Sequence, residues 1–137
     1  MHRDLKPANI LMQDARPLNP RHPRIKVADF GFAKHFGKND ETLDYTLGSA
    51  RYMAPEFFNS RSRDNKDEKV DIWAIGCIAF EIFASSEAFN QEDGAAVSRA
   101  VLRQKLDYSR ISRASQEAQN FIKRCLTYKA EDRPTAE

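Results

Sequence analysis

The residues with the most chemical potential crowd the start of the chain: His2-Arg3-Asp4, then Lys6, Pro7 and Asn9. An Asp, a Lys two positions on and an Asn five positions on assemble a base, a cation and an oxygen ligand within one short loop. Twenty positions after Asn9 comes Asp29-Phe30-Gly31. A carboxylate there, followed by a flexible glycine, can meet Asn9 across a hairpin and hold a hard cation such as Mg²⁺ through oxygen atoms. Farther along stand Ala54-Pro55-Glu56, then Asp71, Trp73 and Gly76, and near the end Arg133-Pro134.

These groups need elements to position them. Residues 10–12 (Ile-Leu-Met) and 25–28 (Ile-Lys-Val-Ala) are short strand-like runs, and the stretch between them carries Pro17, Pro20 and Pro23. Proline does not pair within a ladder, so the segment reads as a hairpin with a long polar tip. From Asp29 to about Pro55 no periodicity holds, and a loop of that length within a compact domain is uncommon unless it has a function. Residues 59–69 read as a solvated surface connection. Residues 70–84 are apolar on nearly every side, which predicts a helix buried all round. Residues 94–105 form an amphipathic helix through Ala96, Val97, Ala100 and Val101. Ala118, Phe121, Ile122, Cys125 and Leu126 lie on a single helical stripe, with Ser115 as its N-cap. The expectation is two strands, one long loop, then helices.

In that order, the motifs resemble the C-terminal lobe of a eukaryotic protein kinase, and the resemblance covers essentially all 137 residues. Each motif alone is weak. Their joint order is specific. The resemblance implies a mainly α fold with a small β-hairpin, the lower part of the kinase α+β architecture, with residues 1–137 as a partial domain. That part would comprise the catalytic loop, the activation loop and C-lobe helices, with the N-lobe and the final helix absent. Asp4 would take the proton from a substrate hydroxyl, and Lys6 would neutralise charge developing on the γ-phosphate of ATP. Asn9 and Asp29 would hold Mg²⁺ against the phosphates, and Leu11 would floor the adenine pocket. Simple core packing is the other reading of Leu11.

Lys6 and the Gly48-Ser49…Tyr52-Met53-Ala54-Pro55-Glu56 stretch are similar to the Ser/Thr class, with Ser49 as a substrate-docking hydroxyl that bonds the Asp and Lys. The implied partner is therefore a protein carrying a Ser or Thr acceptor. Glu56 and Arg133 would form a scaffold ion pair, and Asp71 would brace the catalytic loop. Arg3 and Lys34 would pair with a phosphate on the activation loop. Thr46 is the first phosphosite candidate, with Thr42 and Tyr45 behind it. Glu81 matches a position that reads basic substrate residues, but Ala8 stands where those kinases often carry Glu, so no basic preference follows. Asp29-Phe30-Gly31-Phe32-Ala33-Lys34 and the 106–123 stretch are similar to calcium/calmodulin-type and autophagy-initiating kinases.

Composition excludes several other classes. The 22 Lys plus Arg nearly balance 20 Asp plus Glu for a net charge of +2, and no basic block suggests a nucleic-acid partner. The longest apolar run, Ile72 to Phe80, falls far short of the ~20 residues needed to span a bilayer. The charged N-terminus offers no signal sequence. Cys77 and Cys125 fall within apolar helical patterns and read as buried free thiols of a cytoplasmic or nuclear protein. Nothing in the sequence sets an oligomeric state.

The five glycines include no glycine-rich phosphate loop. The isolated chain is therefore expected to be inactive, as a piece of an active Ser/Thr kinase. The alternative is a truncated, non-catalytic binding or decoy module.

Overall fold

The computed structural model describes residues 1–13, 22–33, 47–59 and 68–136. A single 3₁₀ turn, Pro7–Asn9, leads directly into strand β1 (Ile10–Met12), which pairs antiparallel with β2 (Ile25–Val27). The register sets Ile10 against Val27, Leu11 against Lys26 and Met12 against Ile25. Gln13 N–H donating to the Arg24 carbonyl and Ala28 N–H to the Asn9 carbonyl, both at 2.9 Å, extend the ladder at each end. The second of these bonds brings the loop before β1 to the segment after β2. The hairpin matches the expected strands; its tip, with Pro17 and Pro20, lies outside the described residues.

Two short helices follow, α1 (Leu47–Ala50) and α2 (Pro55–Phe58), in a stretch whose sequence shows no helical period. Pro55 opens α2, a position where its missing N–H costs nothing. The central helix α3 (Lys69–Ala84) carries Val70, Trp73, Cys77 and Phe80 into the main apolar cluster. The cluster is completed by α4 (Gly94–Leu102), by a 3₁₀ turn at Tyr108–Ile111 and by α5 (Gln116–Cys125). A last 3₁₀ turn covers Ala130–Asp132. The described chain is mainly helical with one small hairpin, as the resemblance implies, and no described helix is long and apolar enough to cross a membrane.

Three details depart from the sequence reading. Helix α3 is not buried all round: Ile82 is 70% exposed, and Ile75 and Phe83 are also open. Ile75 and Ile82 sit two residues beyond Trp73 and Phe80, about 200° around the helix, and so face away from the core. Helix α4 stops at Leu102 instead of continuing to residue 105, because Gln104 turns left-handed (φ 51°). Lys105 N–H then bonds the Ala100 carbonyl at 2.9 Å and Gln104 N–H bonds Val101 at 3.0 Å, a Schellman closure without glycine. On α5 the expected stripe buries Ile122, Cys125 and Leu126 but leaves Phe121 in solvent. Ser115 caps α5 as expected, accepting from Ala118 N–H.

Helices α3 and α5 touch at Gly76. A β-carbon there would lie 2.8 Å from Cys125 Cβ and 2.9 Å from Leu126 Cγ and Cδ2, so glycine is what permits the approach. Both thiols are buried and unpaired, and burial pushes each above the ordinary cysteine range.

Candidate functional site

The loop of residues 2–9 is bound down from two sides. Asp71, in the first turn of α3, accepts His2 N–H on Oδ2 at 2.6 Å and Arg3 N–H on Oδ1 at 2.8 Å. The His2 ring reaches the other way: Nε2 lies 3.0 Å from the Ala28 carbonyl, while Nδ1 accepts Asp4 N–H at 3.3 Å. The two contacts together require the Nε2–H tautomer. Phe30 packs edge-on against the same ring, with centroids 4.8 Å apart. Arg3 donates from Nε to the Phe32 carbonyl at 2.6 Å. The loop before β1 is thereby tied to the segment after β2.

Arg3 and Asp29 both adopt left-handed backbone, at φ 71° and 62°. For non-glycine residues such conformations cost about 1–3 kcal/mol each and persist where surrounding bonds over-determine them. The Asp71 carboxylate and the Phe32 carbonyl provide those bonds at Arg3. At Asp29 the side chain holds the turn itself, with Oδ1 accepting from Gly31 N–H at 3.2 Å.

At the centre is Asp4, only 9% exposed. Its Oδ2 accepts from Lys6 Nζ at 2.8 Å and from Asn9 Nδ2 at 3.2 Å, and Asn9 Nδ2 also reaches the Asp4 carbonyl at 2.8 Å. Lys6 Nζ continues to Ser49 Oγ on α1 at 3.0 Å. Asp4, Lys6, Asn9 and Ser49 thus form one connected polar cluster. Because Asn9 turns its amide nitrogen toward Asp4, its amide oxygen is directed away. Asp29 stands one residue past the Ala28 amide that bonds the Asn9 carbonyl, exposed to solvent.

One amide oxygen and one exposed carboxylate are hard oxygen donors, suited to a cation that completes its shell with water and phosphate oxygens. Among the described residues no three His, Cys, Asp or Glu side chains converge, so no all-protein metal cage is present there. Leu11 lies on β1 at 50% exposure, on the face it shares with Lys26, whereas Met12, Ile25 and Val27 are exposed on the opposite face of the hairpin. Thr42, Tyr45, Thr46 and Lys34 lie outside the described residues.

The structural pair is deeply placed. Arg133 Nη1 and Nη2 donate to Glu56 Oε1 and Oε2 at 2.7 and 2.9 Å. Its other three N–H groups go to the carbonyls of Thr127, Lys69 and Tyr128, and the guanidinium lies over Trp73 at 5.1 Å. All five donors of the fork are satisfied. The Arg133 side chain is 0% exposed and that of Glu56 8%.

Sequence reasoning missed several contacts at the rim. Tyr52 OH donates to Glu81 Oε2 at 2.7 Å, and burial together with Glu81 raises the phenol well above its usual range. Arg51 pairs with Glu87 at 2.6 Å. These partners stand 29 and 36 positions apart, on segments with no shared period, so no spacing announces them. The anchoring role of His2 has a weak signal, since its type and place beside Arg3-Asp4 were visible.

A connected carboxylate, lysine, amide and serine lie where the hairpin meets the helices, an arrangement in keeping with the kinase resemblance. Comparison with known proteins agrees: the protein kinase domain family matches residues 1–137, and the chain belongs to that family. It is 34% identical over 136 residues to the mitogen-activated protein kinase kinase kinase YODA of Arabidopsis thaliana, covering 99% of this chain and 14% of that protein. Against the calcium/calmodulin-dependent protein kinase cmkB of Emericella nidulans it is 33% identical, covering 99% of this chain and 33% of the relative. Against the serine/threonine-protein kinase ATG1 of Mycosarcoma maydis, identity is 46% across 65% of this chain and 9% of that protein. The chain spans no more than a third of the length of these relatives.

Proposed function

We propose that this chain is the lower half of a Ser/Thr protein kinase domain and that the whole protein transfers the γ-phosphoryl group of ATP to protein hydroxyls. The observation that carries the reading is the cluster in which Lys6 Nζ bridges Asp4 Oδ2 at 2.8 Å and Ser49 Oγ at 3.0 Å. In this reading Asp4 orients the acceptor hydroxyl and takes its proton as the oxygen attacks the γ-phosphorus and ADP leaves. Lys6, already beside Asp4, neutralises charge on the transferred group. Asn9 and Asp29 present oxygens for Mg²⁺, which when bound supplies charge neutralisation on the β- and γ-phosphates. Leu11 offers an apolar surface for adenine. Ser49 holds the docking segment against the Asp4–Lys6 pair.

A relative named as a serine/threonine-protein kinase, ATG1 of Mycosarcoma maydis, supports the serine/threonine class. Thr46 is the proposed activating phosphosite, with Thr42 and Tyr45 as the alternatives. The 137 residues alone, which include no glycine-rich phosphate loop, are proposed to be inactive. The test is transfer of radiolabelled phosphate from ATP by the whole protein, followed by phosphoamino-acid analysis. Phosphoserine or phosphothreonine is expected. Phosphotyrosine alone, or transfer that needs no divalent cation, contradicts the reading.

A further inference from the structure

The docking segment that begins at Ser49 is held at its far side by an ion pair. Arg51 Nη1 donates to Glu87 Oε2 at 2.6 Å, and Nη2 donates to the Gln91 carbonyl at 3.0 Å. The two side chains are 23% and 28% exposed, partly withdrawn from the screening that weakens surface pairs. Glu87 itself is fixed from behind. Arg110, in the Tyr108–Ile111 turn, donates to the Glu87 carbonyl at 3.0 Å and to the Ser86 carbonyl and hydroxyl. Its guanidinium rests 4.9 Å above the ring of the fully buried Phe80. Ahead of Glu87, Ser85 turns left-handed (φ 53°); after it, Ala88 and Phe89 are buried, with Phe89 stacked on Trp73. The carboxylate therefore projects from a rigid corner.

We infer that Glu87 is a positioning residue for the phosphoacceptor: through Arg51 it latches residues 49–53 to the corner after α3. Those residues include Ser49, which reaches Asp4 through Lys6, so the latch sets where an acceptor lies relative to the Asp4 carboxylate. Tyr52 OH on Glu81 adds a second tie in the same segment. The inference rests on the phosphotransfer reading above for its functional part, whereas the latch is a property of the chain itself.

The test separates the two. In the 137-residue chain, hydrogen exchange is read at the Tyr52 and Met53 amides, which bond the Ser49 and Ala50 carbonyls at 3.1 and 3.2 Å. Glu87→Arg sets two cations together and is expected to accelerate exchange there about five-fold or more, with α5 amides unchanged. The charge swap R51E/E87R is expected to restore protection. If Glu87→Arg loosens α5 as well, Glu87→Gln replaces it and must show the local effect. Unchanged exchange, or a swap that restores nothing, overturns the latch. In the whole protein, Glu87→Gln should raise KM for a Ser/Thr peptide about five-fold while leaving KM for ATP in place. A fall in kcat alone means a structural role and overturns the positioning claim. Absence of transfer in the parent protein sinks the phosphotransfer reading and leaves the exchange result to judge the latch.

Discussion

Replacing Glu56 by alanine would leave the Arg133 guanidinium, 0% exposed, with its charge uncompensated and two of its five donors without acceptors. Breaking a buried pair from one side costs about 3–5 kcal/mol. Arg133→Met is expected to cost a similar amount for the mirror reason. It strands the Glu56 carboxylate and withdraws donors from the carbonyls of Thr127, Lys69 and Tyr128. Against a total of about 5–15 kcal/mol for a typical domain, either loss is a large fraction. Removing both partners together, as E56L/R133M, should cost clearly less than the sum, because neither buried charge is then orphaned. Urea unfolding followed by the fluorescence of Trp73, the chain's one tryptophan, reads the site directly, since Arg133 lies over that ring. With a slope of about 2 kcal/mol per molar urea, the midpoint of each single variant should fall by about 1.5–2.5 M. Single variants that each lose under ~1 kcal/mol, the range of an exposed pair, would refute the reasoning.

Other outcomes follow from the same geometry. Asp71→Ala removes the acceptor of the His2 and Arg3 amides and releases a left-handed residue, so it should cost about 2–4 kcal/mol, measured by thermal melting. Gly76→Ala gains up to ~1 kcal/mol of helix propensity yet forces α3 off α5, for a net loss of about 1–2 kcal/mol in urea unfolding; a more stable variant would contradict the packing account. Cys77 and Cys125 should resist iodoacetamide at pH 8 in the folded chain and react once urea is added. Their pKa values are raised in the fold, so folded thiols keep protons that unfolded ones release. Stability should therefore decline as pH rises above ~8.5, the unfolded thiol value, and Cys77→Ala should flatten that decline.

The hairpin strands and α5 were legible because their patterns are local: short apolar runs bounded by prolines, and a serine cap before a stripe. Helix α3 was legible as a helix but not in its burial, since an apolar sequence on every side does not say which side meets the core. The stop at Leu102 depends on a left-handed Gln104, a residue type that gives no warning. The motif residues near Asp4 could be picked out by type and order. What spacing does not reveal is the support around them. The His2 tautomer bridge and the Arg51–Glu87 and Tyr52–Glu81 ties join segments far apart in the chain, and only the tertiary fold brings them together.

The central claim, that the Asp4 cluster transfers phosphate, is tested most directly by comparing the whole protein with its Asp4→Asn variant. Both would be assayed for Mg²⁺-dependent transfer from labelled ATP to a serine or threonine substrate, after matching thermal melts have shown both to be folded. Loss of the base should reduce turnover by about 10²–10⁴-fold. A folded Asp4→Asn variant that turns over at the parent rate would contradict the account.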